Sequence, residues 1–133
     1  MMNKKIEELK RSRWTLEYEN KLSSPTVKEL CEECKGVSID VELTFISAFG
    51  RRDKVYNVIL TSADKAYFHR DCLNNDCTGS GFSLSNEIRE AIRSRKTKEG
   101  VIRCDCKEDW KYMNNVGNSC MSTCKYRIEP HFQ

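Results

Sequence analysis

Eight cysteines in 133 residues, at 31, 34, 72, 77, 104, 106, 120 and 124, constrain this chain more than any other feature. They fall into close pairs: Cys31-x2-Cys34, Cys72-x4-Cys77, Cys104-x-Cys106 and Cys120-x3-Cys124. A pair carried on one turn supplies half of a tetrahedron, so this clustering is the pattern of metal sites. The rival readings are a disulfide scaffold, or buried cysteines acting as small hydrophobes. The N-terminus, MMNKKIEELKRSRW, has charge but no apolar run behind it, so a secretory signal is not expected. The expectation is therefore a cytoplasmic protein in a reducing compartment, holding zinc rather than disulfides.

Composition agrees. Hydrophobic residues make up 38% and charged residues 32%, and mean hydropathy is −0.68. The core is thin, and bound metal would supply part of the folding free energy. No stretch approaches the ~20 apolar residues that span a bilayer. The formal charge of +3 overstates how basic the loaded protein would be. Each four-cysteine zinc site removes four thiol protons and adds a divalent cation, so one site leaves +1 and two leave −1. Bulk charge gives no argument for nucleic acid; a local patch is needed.

Periodicity supplies the elements. Residues 3–12 are helix-like, and Trp14, Leu16 and Tyr18 then alternate with polar residues as in a strand. This extension, 1–24, precedes a cysteine-rich domain at 25–133. Gly36 follows Cys31-x2-Cys34 as it would in a zinc knuckle, where glycine adopts positive φ and amides point at the sulfurs. Val37, Ile39, Val41, Leu43 and Phe45 form the clearest strand, broken at residues 49–53 before a second strand at 54–61. Residues 66–70 read as a third strand. A helix at about 86–97 carries Ile88, Ala91 and Ile92 on one face, with Ser85 as its N-cap and Gly100 ending the segment. Residues 101–104 and 120–128 complete the set. In the last strand Lys125 and Arg127 alternate with apolar residues, which reads as a charged edge strand. The expected fold is α+β: a small, mostly antiparallel sheet with one or two helices, of zinc-ribbon or zinc-knuckle type and stabilised by metal.

Eight cysteines suit two Zn2+ ions; one ion would leave four thiols spare. In a sequential pairing, Cys31, Cys34, Cys72 and Cys77 hold one ion and Cys104, Cys106, Cys120 and Cys124 the other. In a crossed pairing, Cys72, Cys77, Cys104 and Cys120 hold one, and Cys31, Cys34, Cys106 and Cys124 the other. His69 is a ninth candidate, against the plainer reading of a half-buried strand histidine. His131 reads as solvated, and Trp14, Trp110 and Tyr112 as core, against the alternative of exposed residues on which single-stranded bases stack.

The run His69-x2-Cys72-x4-Cys77, Gly79, Gly81-Phe82-x-Leu84-Ser85-x-Glu87-Ile88, then Cys104 and Cys120 before Tyr126-x-Ile128, resembles a group of small uncharacterised bacterial zinc-ribbon-like proteins over residues 67–128. The resemblance implies one zinc on Cys72, Cys77, Cys104 and Cys120, as in the crossed pairing, and no activity. The group's Gly-Trp step after the third cysteine is here Asp105-Cys106.

All-thiolate sites have no open coordination position, so a structural zinc module that binds a protein or nucleic acid is the leading functional reading. Arg89, Arg93 and Lys96 on the predicted helix, with Arg51, Arg52 and Lys54 at a hairpin tip, are the candidate phosphate contacts; a solvated helix face is the plain alternative. A thiol redox or zinc-release sensor switching at Cys31-x2-Cys34 is a second reading. A metal-dependent enzyme is a third and weakest one. Only two histidines are present, and there is no H-E-x-x-H, deaminase or phosphate-loop motif. No small-molecule substrate is evident.

Overall fold

The structure is a computed structural model that describes residues 2–47, 50–73, 81–104 and 122–132. In chain order its elements are α1 (Met2–Ser23), α2 (Val27–Leu30), β1 (Cys34–Ser47), β2 (Gly50–Thr61), β3 (His69–Arg70), β4 (Phe82–Ser83), α3 (Ser85–Ser94), β5 (Lys98–Arg103) and β6 (Thr123–Phe132). An antiparallel sheet runs β2-β1-β6-β5, and β3 and β4 pair separately. The α+β expectation holds, with three helices among the described residues rather than one or two. No helix described is long and apolar enough to cross a membrane.

The alternation in β1 does what its pattern requires. Val37, Ile39, Val41 and Leu43 are buried on one face, facing Ile88, Ala91 and Ile92 of α3 and Phe82 and Leu84 beside β4 in a single core. Tyr126 and Ile128 of β6 join the same face, with Cys124. The opposite face stays open and carries Asp40, Glu42, Val55, Val101, Lys125 and Arg127.

Several local expectations are corrected. Trp14, Leu16 and Tyr18 belong to α1, not to a strand, and are 49%, 55% and 63% exposed. Alternation is no strand signal where no partner strand or core receives one face; the local residues are mostly good helix formers. Trp14 is therefore not core. Its indole donates to Asp71 Oδ2 at 2.7 Å. Helix α1 stops two residues before Pro25, as the restriction on residues preceding proline favours. The short helix α2 has a signal in Thr26-x-x-Glu29: a capping box in which Thr26 Oγ1 accepts from the Glu29 amide at 3.1 Å and Glu29 Oε1 accepts from the Thr26 amide at 3.0 Å.

Residues 50–53 do not break the hairpin, because β2 begins at Gly50 opposite Ser47. The third strand contracts to β3. Ser85 lies inside α3, whose N-cap is Leu84 with no side-chain cap. Gly100 does not end that helix; Arg95 does, at φ 58°. Gly100 lies within β5 because Tyr126 folds across it, its hydroxyl 2.7 Å from where a Cβ would stand.

Strand β6 is internal, not an edge: its charges mark the sheet's open face. Its pairing with β5 ends at Ile128, so Pro130 falls where only the β1 side is bonded. A missing amide is tolerated there.

Candidate functional site

The β1–β6 register sorts the cysteines. Cys34 pairs with Phe132 at one end of the ladder, and Leu43 pairs with Cys124 near the other. From 34 to 43, at ~3.3 Å per residue, is about 30 Å. Cys31 lies one turn from Cys34, whose amide donates to the Cys31 carbonyl at 3.1 Å.

The far end gathers Cys72, Cys104 and Cys124 around Ser122. Cys72 Sγ lies 2.8 Å from Ser122 Oγ. The Cys104 amide donates to the Ser122 carbonyl at 3.1 Å, extending the β5–β6 register so that Cys104 and Ser122 stand opposite each other. Directly opposed residues on antiparallel strands project to the same face with Cβ atoms ~5 Å apart. Cys104 and Ser122 are both buried. Cys124, two residues on, is wholly buried in the core. Burial first, and the charge of Glu87 second, push its thiol up to about 12. That environment favours the neutral thiol, as for a cysteine packed in a core.

The sequential and the crossed pairing both put Cys31 and Cys34 on one metal with a residue from the opposite end: Cys72 in the sequential pairing, Cys124 in the crossed one. The ladder keeps those residues apart. Among the described residues no three His, Cys, Asp or Glu side chains converge as a metal requires. Cys77, Cys106 and Cys120 lie outside the described residues, as do Trp110 and Tyr112. At the Ser122 end Cys72 and Cys104, from distant segments, both bond Ser122, Cys104 buried and Cys72 half-buried, and thiols are the donor type a zinc ion takes.

Cys31-x2-Cys34 is not the expected knuckle. Gly36 has no positive φ; it lies in β1, where the Leu60 carbonyl passes 2.8 Å from the place of a Cβ. Instead of receiving amides, Cys34 Sγ donates to the Gly36 carbonyl at 3.3 Å. The neighbour of this pair is Arg95. Its Nη2 lies 3.9 Å from Cys31 Sγ and 2.6 Å from Glu33 Oε2, and its guanidinium stacks 4.6 Å from the Phe132 ring centroid. The hydrogen bond and charge of Glu33 raise the Arg95 pKa, and Cys31 and Cys34 add to this. In sequence Arg95 reads only as one more cation at the basic end of the predicted helix; its place beside Cys31 is found in three dimensions.

His69 sits on β3 opposite Ser83, with Nε2 near Gly81. His131 is not simply solvated: its Nε2 lies 2.6 Å from Ser38 Oγ. The cationic patch is divided. Arg93 and Lys96 are exposed. Arg89 is half-buried, its Nε without a hydrogen-bond partner among the described residues. Arg51 and Asp53 pair at 3.0 Å. On the open sheet face Arg127 pairs with Glu99 at 3.0 Å and Glu129 at 3.2 Å.

Comparison of the chain with protein-family models, curated proteins and solved structures finds no match.

Proposed function

We propose that this protein is a structural zinc module in which one Zn2+, held by Cys72, Cys77, Cys104 and Cys120, ties the β3–β4 segment to the β5–β6 hairpin, leaving the open sheet face for a protein partner. One observation carries the reading: Ser122 receives Cys72 through its hydroxyl and Cys104 through its carbonyl. Cys120 is two residues from Ser122 and Cys77 five from Cys72, short chain lengths for completing a tetrahedron. Bound zinc supplies folding free energy where the core is thin. A protein partner is favoured over nucleic acid because the described part of the open face mixes exposed Val55, Ile59 and Val101 with paired charges and has no aromatic residue on which a base would stack.

Elemental analysis and chelation test the zinc. One zinc per chain is expected in protein purified under reductant, lost together with the fold on chelation and lost in Cys72→Ser. Unchanged circular dichroism after complete metal removal would overturn the reading.

A further inference from the structure

Cys31 and Cys34 stand apart from the proposed zinc site, and their surroundings differ in kind. Between the end of α2 and the start of β1 they close a hydrogen-bonded turn, the Cys34 amide on the Cys31 carbonyl at 3.1 Å. Such a turn keeps its first and last Cα atoms within ~7 Å, the range a disulfide spans. Both carry free thiols. Cys31 is partly exposed and Cys34 wholly buried.

Arg95 faces the exposed member. A guanidinium in contact with sulfur offsets the negative charge a thiol acquires as it becomes a nucleophile. Arg95 reaches this place from a left-handed backbone conformation, φ 58° and ψ 29°, that glycine ordinarily fills at a helix end. Its side chain spans Cys31, Glu33 and Phe132. The acidic residues Glu29, Glu32 and Glu33 around Cys31 disfavour an anionic disulfide carrier and favour a small neutral oxidant.

We propose that Cys31 and Cys34 form a peroxide-reactive dithiol, with Cys31 the attacking thiol, Cys34 the resolving thiol and Arg95 the residue that supports the attack. The Cys31 thiolate attacks one oxygen of hydrogen peroxide. The O–O bond breaks, Cys31 becomes a sulfenic acid, and the departing hydroxide takes up the proton Cys31 released, giving water. Cys34 sulfur then attacks Cys31 sulfur. The S–S bond forms, the S–O bond breaks, and the hydroxyl leaves with the Cys34 proton as a second water. Two thiols are oxidised and one peroxide is reduced to two waters.

The test treats the full, metal-replete chain with one equivalent of hydrogen peroxide and maps disulfides by peptide mass spectrometry. A bond between Cys31 and Cys34 is expected, with zinc retained. Cys34→Ser should stop at a Cys31 sulfenic acid trapped by a dimedone-type probe. Arg95→Gly should slow the reaction about tenfold without lowering the melting temperature, since glycine suits that backbone, and Arg95→Lys should recover part of the rate. If Cys34→Ser does not fold, the wild-type disulfide map and the Arg95 variants decide. A first disulfide formed elsewhere, no disulfide, an unchanged rate in Arg95→Gly, or loss of a zinc ion in Cys31→Ser would each overturn the proposal.

Discussion

Truncating Cys124 separates a core thiol from a zinc ligand. The side chain is fully buried, with Leu43 opposite on β1 and Ile102 opposite on β5. Cys124→Ala removes one sulfur, comparable to a methylene at ~0.8 kcal/mol, and leaves a small cavity, so a loss of about 1–2 kcal/mol is expected. Cys124→Ser keeps the shape but introduces a hydroxyl into an apolar site, at a cost of about 1–3 kcal/mol. Urea unfolding at neutral pH under reductant should give lower midpoints with unchanged m-values, and zinc per chain should be unchanged. The pH dependence gives a second reading. The folded thiol stays neutral up to about 12, whereas an unfolded one ionises near ~8.5. Between these values the unfolded chain binds fewer protons, so wild-type stability is fully present below ~8.5 and falls as pH rises. Cys124→Ala should lose less over that window. A variant that sheds zinc would refute the core assignment.

Three further outcomes follow from single contacts. Gly100→Ala places a Cβ against Tyr126 and should cost about 1–3 kcal/mol in urea unfolding. The Thr26 amide first, and the Thr26 hydroxyl second, hold the Glu29 carboxyl below its ordinary range, and Thr26→Ala removes the second. That stabilisation is present above ~4.3 and lost as pH falls, so the variant should have a lower midpoint at pH 7 and a shallower acid limb. Asp71→Ala removes the acceptor of Trp14 and Arg13; amide exchange along α1 should accelerate while exchange in β1 and β6 stays slow.

What the sequence made legible was whatever one element decides for itself. The buried row Val37, Ile39, Val41 and Leu43, the face Ile88, Ala91 and Ile92, and the shared burial of Cys124, Tyr126 and Ile128 all follow from a period of two or of 3.6. What remained hidden depended on neighbours. Trp14, Leu16 and Tyr18 alternate without a sheet to join. The roles of Gly36 and Gly100 are set by Leu60 and Tyr126, distant in sequence. Lys125 and Arg127 look the same on an edge strand as on the wet face of an internal one. Close spacing within each cysteine pair was readable, but which pairs meet depends on strand order and register, and these separate Cys34 from Cys124.

Asp71 is also one of the two points by which the described part of α1 is tied to the body of the molecule. The 22-residue α1 is about 33 Å long, and its described side chains grip the body through Arg13 and Trp14 on Asp71 and Glu17 on Tyr67. Asp71 is covalently next to Cys72. The indole of Trp14 is thus hydrogen-bonded one residue from a cysteine of the proposed zinc site, and in a Trp110→Phe background its emission is placed to report on that end of the fold.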